Sequence, residues 1–500
     1  MYNPLVLLLG ENLNAPNTLC VFGAIFVASL YYWYKRPNNF PPGPRGIPLL
    51  GYMPFMGKYP EAKLLKLSET YGPVMSIRLA TAEVVVFNEF NTLHEALIKH
   101  PNKFSGRIDF EWMKDISKNL GLVTVDYGPF FRSQRKFGFH TLRGFGMGKK
   151  SMESRVIEEA AFLNENFRSH EGKPFEVKSI LRAAVANNAS SVIFGKRYSY
   201  DDKEFAKIIE IMLEEFEDQA FAAVNLILFF APKLVNIPPF TKFHRQYARS
   251  TRIFIDMIRK SVIEHEETYD EENPRDFIDA FLKEIKAGSD FFSNEQLFFY
   301  VRDLMIAGTE TTSTYLTWTC VILLHYPQMQ KKLRQEINEI IGPSGTVQMS
   351  HKPKMHYTSA FIQELLRFRT ALPMTYHKMN EDAEFNGYSI PKDTMVLVNM
   401  WAVHNDPNVW EEPLQFNPQR FLDADGKFIV SNQVIPFSLG ARRCVGEQLA
   451  RMEIFLLLVS IIQKFEILPD PDAEKIPALD DAVNGLIYSP FPLRIVAKQI

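Results

Sequence analysis

Apolar side chains recur every three to four residues over much of the chain, which is the period of an amphipathic α-helix. This periodicity predicts long helices at Glu204–Phe221, Tyr247–Glu267, Ser293–Tyr326, Gln328–Ile341 and Tyr357–Phe368. Short β-branched runs with turn residues between them predict strands at Val74–Leu79, Glu83–Phe87 and Thr394–Asn399, with a turn at Asn386-Gly387. The pattern therefore predicts an α+β fold that is mainly α with a small β-sheet.

The segment Ser293–Tyr326 is the longest of these helices. Ser293 and Gln296 have the spacing of a capping box, and Pro327 ends the segment, so the helix is about 50 Å long and could floor a buried pocket. Glycine lowers helix stability and threonine hydroxyls compete for backbone carbonyls, so the middle of the helix is predicted to be loosened by Gly308, Thr309, Thr311 and Thr312. By contrast, the acidic run Glu264–Glu272 predicts a solvated connecting loop.

The amino-terminal segment is predicted to be a membrane anchor. Thr18–Tyr34 carries no charge and ends in aromatic residues, and Lys35 and Arg36 follow it, which indicates that the body faces the cytosol. The alternative is a cleaved signal peptide, because seventeen residues are at the short end of the transmembrane range. The predicted divisions are an anchor at 1–35, a stiff proline-rich hinge at 36–45 and a globular domain at 46–500.

Composition excludes several classes of function. The 500 residues include 58 acids and 56 bases, so the net charge of -2 does not indicate a nucleic-acid-binding protein. The three cysteines form neither a disulfide framework nor a CxxC metal site, which indicates a reducing compartment. A content of 41 Phe and 31 Pro indicates a large apolar interior, which suits a buried organic ligand.

The most specific chemical signal surrounds Cys444. Gly440, Arg442 and Gly446 flank this cysteine just before a predicted helix at Glu447–Val459. A helix amino terminus and a cation both favour the thiolate, and glycines allow a flat macrocycle or backbone amides to approach the sulfur. A lone cysteine is usually an inert core residue, so the interpretation of Cys444 as a ligand depends on its sequence context.

The segment from Phe437 to Gly446 resembles the haem-binding signature of the cytochrome P450 superfamily, the haem-thiolate monooxygenases. Three further family motifs occur in the expected order, at Ala307–Thr312, Glu364–Arg367 and Phe416–Phe421. The resemblance covers roughly residues 37 to 500, and the hinge and Gly144–Arg155 look most like the animal microsomal family 2. It implies that 46–500 is a haem-thiolate monooxygenase domain of the P450-like fold.

The resemblance also implies a role for each matched residue. Thr311 would hydrogen-bond the bound oxygen and Glu310 would relay protons. Glu364, Arg367 and Arg420 would form a structural triad behind the cysteine loop. Haem b would take Cys444 as the axial iron ligand, and its remaining contacts would come from Arg107, Arg135, His377, Phe437, Gly440, Arg442 and Gly446. In one departure, Phe131 stands where the family usually has tryptophan.

The activity implied by the resemblance is insertion of one atom of O2 into a small lipophilic substrate such as a steroid, fatty acid or xenobiotic. The electrons would come from NADPH through a flavoprotein reductase, with a b-type cytochrome as a further donor, at the endoplasmic reticulum membrane. The segment Tyr127–Met152 contains bases but no acids, which predicts a docking patch for the reductase at Arg132, Lys136, Lys149 and Lys150. The expected substrate contacts are Phe110, Val123, Val125, Met305, Ala307, Leu372, Met374, Leu486 and Ile487.

Two rival functions remain open on the sequence. One is a haem-thiolate isomerase or dehydratase that rearranges peroxides without a reductase or O2. The other is a non-catalytic haem-binding sensor. The Glu310-Thr311 pair argues against the isomerase, and a sensor would need neither proton relay residues nor a face for a reductase.

Overall fold

The structure is a computed structural model that describes residues 20, 23, 24, 27, 33–145, 150–217 and 219–500. Most of the predicted anchor at 1–35 lies outside the described residues. Among the residues that are described, no helix is both long enough and apolar enough to cross a membrane.

Helices form most of the domain. The α-helices, numbered in chain order, are α1 Pro60–Tyr71, α2 Phe90–His94, α3 Pro101–Phe104, α4 Lys114–Ser117, α5 Pro129–Gly144, α6 Lys150–Ser169, α7 Val177–Ile193, α8 Lys203–Glu217, α9 Gln219–Phe230, α10 Phe240–Glu267, α11 Phe277–Lys286, α12 Asn294–His325, α13 Pro327–Ile340, α14 His356–Phe368, α15 Met400–Asn405 and α16 Glu447–Lys464. Shorter 3-10 or π turns lie at Met53–Phe55, Glu95–Lys99, Glu111–Met113, Pro232–Asn236, Met349–Lys354, Pro418–Phe421 and Gly440–Arg442.

The strands are short and fall into small sheets. They are β1 Val74–Leu79, β2 Ala82–Phe87, β3 Phe175–Glu176, β4 Met374–Lys378, β5 Ala383–Phe385, β6 Tyr388–Ile390, β7 Met395–Asn399, β8 Phe465–Pro469, β9 Val483–Asn484, β10 Tyr488–Ser489 and β11 Arg494–Gln499. A four-stranded sheet has the order β1-β2-β7-β4, in which only β2 and β7 pair in parallel. A second sheet has the order β3-β11-β8, and β5–β6 and β9–β10 form antiparallel pairs.

Helix α12 runs through the core and packs along α7 and against α16. Every residue from Thr312 to Leu324 is buried, so this half of the helix has no face exposed to solvent. Two threonine hydroxyls bond back to the helix, Thr317 Oγ1 to the Ser313 carbonyl at 2.8 Å and Thr319 Oγ1 to the Tyr315 carbonyl at 3.0 Å. This internal bonding satisfies both hydroxyls at the centre of the domain.

The mainly α fold with small sheets is confirmed, with corrections at several boundaries. The predicted helix Glu204–Phe221 corresponds to α8 and the start of α9, and residue 218 between them lies outside the described residues. The run Glu264–Glu272 is not wholly a loop, because α10 continues to Glu267. The predicted capping box is only half formed: Ser293 accepts from the Gln296 amide, but the Gln296 side chain instead bonds the Gly121 backbone. Gln296 is buried, so its amide must satisfy other buried groups.

Candidate functional site

The loop before α16 presents Cys444 in a constrained backbone. Gly440 has a φ of 72°, and a Cβ there would lie 2.1 Å from the Leu97 carbonyl oxygen, so only glycine fits. The Cys444 amide donates a 2.9 Å hydrogen bond to the Phe437 carbonyl. The loop therefore folds back on itself and fixes the cysteine at the start of the helix.

The Cys444 thiol is accessible although many protein atoms surround it. Burial raises the pKa of this thiol and Glu447 adds to the rise, whereas the Gly446 amide, Arg135 and Arg443 lower it. Arg442 had been expected to stabilise the thiolate, but its guanidinium is directed elsewhere, to the carbonyls of Ser105 and Val125. Thiolate formation therefore depends on the amide and on the other two arginines.

Arg442 belongs to a group of partly or fully buried nitrogen-bearing side chains beside the cysteine loop. Its Nε and Nη2 donate to Ser105 and Val125 at 2.9 and 2.7 Å, and its guanidinium lies 3.7 Å from the centre of the Phe131 ring. The remaining nitrogen, Nη1, is buried and has no hydrogen-bond partner. An unpaired buried donor on a cation indicates that an acceptor belongs there.

Arg107 and His377 complete this group on the side of β4. Arg107 Nε donates to the Val123 carbonyl at 2.9 Å, and His377 Nδ1 is 2.7 Å from the Phe104 carbonyl. Burial lowers the pKa of Arg107 to about 10, while burial together with Arg107 lowers that of Arg442 to about 8 and that of His377 to about 3. Burial is the largest cause of all three shifts, and neighbouring arginines add to it at Arg442 and His377.

The donor set therefore fits a group that carries carboxylates. Arg135 on α5 donates to the Arg443 carbonyl in the cysteine loop. Asp126 and Asp303 offset the charge of Arg107 only in part. Haem b offers two propionates, which are the kind of acceptor that Arg107, Arg135, His377 and Arg442 lack. The residues predicted to bind haem are thus brought together with a chemistry that matches it.

Thr311 and Glu310 occupy different faces of α12. Thr311 Oγ1 donates a 2.8 Å hydrogen bond to the Ala307 carbonyl, and Thr311 and Ala307 both keep accessible surface. The helix is continuous through Gly308, although that residue was expected to loosen it, and a Cβ there would make only ordinary contact with Ala189 at 3.7 Å. The Thr309 hydroxyl is buried without a hydrogen-bond partner.

Glu310 is fully buried and faces two cations on α7. Arg182 Nε donates to it at 3.0 Å, and Lys178 Nζ lies 3.2 Å from its other oxygen. The hydroxyl of Thr314 donates to the same carboxylate at 3.3 Å. The two cations are 12% and 15% exposed, so they connect the buried carboxylate to the surface. These two partners were not predicted, and their i, i+4 spacing on α7 is the one signal for them in the sequence.

The triad of Glu364, Arg367 and Arg420 is formed as expected. Arg367 donates from Nε and Nη2 to the two oxygens of Glu364 at 2.7 and 2.8 Å, and Arg420 donates at 3.2 Å. Arg367 Nη1 also donates to the carbonyls of His404 and Pro413. Glu364 and Arg367 are wholly buried, so the network joins α14 to the segment before the cysteine loop.

The expected substrate contacts fall into groups of different exposure. Val125, Met305 and Ile487 are buried, and Val123 and Leu486 are 51% and 49% exposed. Ala307 is exposed, whereas the partly buried members are Phe110, Leu372 and Met374. The loop at Val123–Val125 belongs to the site, because its carbonyls accept from Arg107 and Arg442. Met305 instead contacts α7, with its sulfur 3.9 Å from Ser190 Oγ.

Comparison with known proteins agrees with this arrangement. The family model for cytochrome P450 matches residues 41–495. The chain is 36% identical over 497 residues to cytochrome P450 2U1 of Homo sapiens, covering 93% of this chain and 90% of the relative. It is 37% identical over 464 residues to cytochrome P450 2H1 of Gallus gallus, covering 91% and 92% of the two chains. The chain therefore belongs to the cytochrome P450 family of monooxygenases, which bind haem b through a cysteine thiolate.

Proposed function

We propose that Cys444 is the axial ligand of the haem iron and that the protein oxidises a small lipophilic substrate at the endoplasmic reticulum membrane. The observation that carries the ligand assignment is the accessible Cys444 loop beside the partly buried Arg442, whose Nη1 atom has no hydrogen-bond partner. Arg107, Arg135, His377 and Arg442 would hold the propionates, and Phe437, Gly440 and Gly446 would shape the loop. Bound haem supplies the activation of O2.

Thr311 and Glu310 are proposed to take part in proton delivery to the bound oxygen. Thr311 presents a hydroxyl on the accessible face of α12, and its 2.8 Å bond to the Ala307 carbonyl fixes where that hydroxyl points. Lys178 and Arg182, which hold the Glu310 carboxylate, are 12% and 15% exposed, so water at these side chains can bring a proton to the carboxylate. Since Glu310 faces away from Thr311, transfer between them requires the Glu310 side chain to turn.

The electron donor is proposed to be an NADPH-dependent flavoprotein reductase, with a b-type cytochrome as a second donor. Arg132, Lys136 and Lys150 are exposed on α5 and α6, and Lys149 of the predicted patch lies outside the described residues. Arg135, on the same helix α5, reaches the backbone of the cysteine loop. An acidic protein bound to this face would therefore lie close to the haem ligand.

The substrate is proposed to be lipophilic because the expected contacts are apolar. A steroid, a fatty acid or a xenobiotic would satisfy this surface equally well. The endoplasmic reticulum and a single anchor at 1–35 remain proposals that rest on the sequence pattern of Thr18–Tyr34 and its positive flank.

Replacement of Thr311 by alanine tests the monooxygenase assignment. We expect Thr311→Ala to keep haem and NADPH consumption but to form more hydrogen peroxide and less product per NADPH, because proton delivery becomes disordered. Thr319→Ala is the matched control, since Thr319 Oγ1 makes the same backbone bond at 3.0 Å further along α12. A protein that consumes no NADPH with reductase would instead be an isomerase or a sensor. Unchanged product per NADPH in Thr311→Ala would remove Thr311 from the mechanism.

A further inference from the structure

The proline-rich hinge is fastened to β1 by hydrogen bonds. The amide of Ser76 on β1 donates to the Pro42 carbonyl at 2.7 Å, and the Ser76 hydroxyl donates to the Pro41 carbonyl at 2.6 Å. Arg36, which precedes the prolines, donates from Nη2 to the Gly43 carbonyl. The hinge therefore lies on the sheet, and its charged side chains have fixed neighbours on β1 and β2.

Three arginines and one acid meet where the hinge lies on the sheet. Arg45 pairs with Glu83 on β2, and Arg78 on β1 lies opposite Glu83 in the strand register, with Nε 3.7 Å from the same carboxylate oxygen. Arg45 and Arg78 are 10% and 15% exposed. Burial and the charge of Arg45 lower the pKa of both Arg36 and Arg78, although Glu83 raises it. Three cations thus face one carboxylate, and the balance is positive.

The buried donors at this place exceed the acceptors. Within the described part of the chain, the buried nitrogens without a hydrogen-bond partner include Trp33 Nε1, Arg36 Nε, Arg45 Nη2 and Arg78 Nε. The second oxygen of Glu83 is also unpaired, but one carboxylate oxygen accepts at most about two hydrogen bonds. Buried donors without acceptors cost free energy, so an anion belongs beside them. We call Trp33, Arg36, Arg45, Arg78 and Glu83 the hinge cluster.

We propose that the hinge cluster binds the phosphomonoester group of an anionic phospholipid. A phosphomonoester carries a charge of about -1.5 to -2 near neutral pH and has three terminal oxygens, which match the excess charge and the unpaired donors. Arginine is suited to phosphate because its planar guanidinium donates two parallel hydrogen bonds. The Trp33 ring lies 4.1 Å from the Arg78 guanidinium carbon, so its indole N–H is held beside the cations.

The surroundings of the hinge cluster favour a lipid over a free phosphate ion. Trp33 is among the last residues of the predicted anchor at 1–35, so the cluster would lie at the level of the lipid headgroups. The loop after Arg45 is joined to the end of β1 by a 3.1 Å hydrogen bond from the Ala80 amide to the Leu50 carbonyl. This loop exposes the apolar side chains of Ile47, Leu49 and Leu50. Exposed apolar side chains beside an anion site suit the acyl chains of a lipid.

Calorimetric titration of the full-length holoprotein in detergent measures this affinity. The probe is dioctanoyl phosphatidic acid, and the comparison ligands are dioctanoyl phosphatidylglycerol, which is a phosphodiester, and inorganic phosphate. The native protein should bind one equivalent of phosphatidic acid at least about tenfold more tightly than either comparison ligand. Equal affinity for phosphatidylglycerol would indicate diffuse charge attraction, and equal affinity for inorganic phosphate would indicate a site for the free ion. Either result would overturn the proposal.

Variants of the hinge cluster separate a phosphate site from a set of structural ion pairs. Arg78→Gln should weaken phosphatidic acid binding about tenfold or more, because it removes a charge-assisted donor. Lys35→Gln is the matched control: it removes the same charge at an exposed neighbouring position and should change the affinity less than about twofold. Equal weakening in Lys35→Gln and Arg78→Gln would show that no specific site exists.

Glu83→Gln gives the opposite sign and keeps the test decisive if Arg78→Gln does not fold. The substitution removes the competing negative charge but keeps an oxygen that accepts from Arg45. Phosphatidic acid should therefore bind about threefold or more tightly to Glu83→Gln than to the native protein. Weaker binding in this variant would mean that Glu83 only holds the arginines in place, and the proposal would be wrong.

This inference rests on the proposed membrane anchor only for the source of the lipid, and the two can fail separately. Titration in detergent does not require residues 1–35 to cross a bilayer. Extraction of cell membranes with alkaline carbonate tests the anchor by itself. Release of the native protein by carbonate, together with tighter phosphatidic acid binding in Glu83→Gln, would remove the anchor and support the site.

Discussion

Replacing Phe131 by tryptophan should slow the loss of haem from the protein. Phe131 is 2% exposed on α5, and its ring face lies under the Arg442 guanidinium, 3.7 Å from its carbon. Phenylalanine provides this stacking surface but no hydrogen-bond donor. An indole at this position would keep the stacking, strengthen the cation–π contact and add an N–H donor that phenylalanine lacks.

The expected size of the effect follows from one added hydrogen bond. A net hydrogen bond to a charged group contributes about 1.5–3 kcal/mol, which slows haem loss roughly ten- to a hundredfold. The larger ring costs about 1–3 kcal/mol of folding stability through overpacking, but that cost is shared by the protein with and without haem. Phe137→Trp is the matched control, because Phe137 lies on the same helix but packs against Phe281 and Phe292.

Haem transfer to an excess of an acceptor apoprotein measures the effect, followed by absorbance for native, Phe131→Trp and Phe137→Trp. Arg135→Ala should accelerate haem transfer more in the native background than in Phe131→Trp, because the indole N–H would still bind the propionate in that variant. Equal rates for native and Phe131→Trp would refute the reasoning, since a water or neighbouring side chain would already satisfy the propionate.

Two further predictions concern the scaffold and the docking face. Arg367→Leu removes the bidentate partner of the buried Glu364 and leaves it only the 3.2 Å contact with Arg420, so it should cost about 3–5 kcal/mol of stability, measured by urea unfolding of the holoenzyme. Arg168→Leu, which breaks an exposed ion pair with Glu165, should cost less than about 1 kcal/mol. Arg132→Glu with Lys136→Glu should slow reductase-dependent haem reduction most at low ionic strength, measured by stopped flow. Equal slowing at every salt concentration would indicate misfolding instead.

The sequence was sufficient where local pattern and global packing agree. The bounds of α12 and α14 are within a residue or two of the prediction, because a long apolar period is compatible with only one way of burying the helix. The motif at Glu364–Arg367 predicted a structural ion pair, and both of its side chains are wholly buried.

Contacts between distant segments could not be predicted. Arg442 was expected to act on Cys444, but carbonyls at Ser105 and Val125, more than 300 positions away in the chain, take its hydrogen bonds.

The carbon monoxide difference spectrum of Cys444→Ser tests the central claim most directly. Native reduced protein should show the red-shifted band of thiolate-ligated haem, and Cys444→Ser should lose it because the thiolate donor is gone. Cys320→Ser is the control: Cys320 is buried in α12, and burial raises the pKa of its thiol to about 12, so its loss should leave the band intact. Retention of the band in Cys444→Ser would contradict the assignment of Cys444 as the haem ligand.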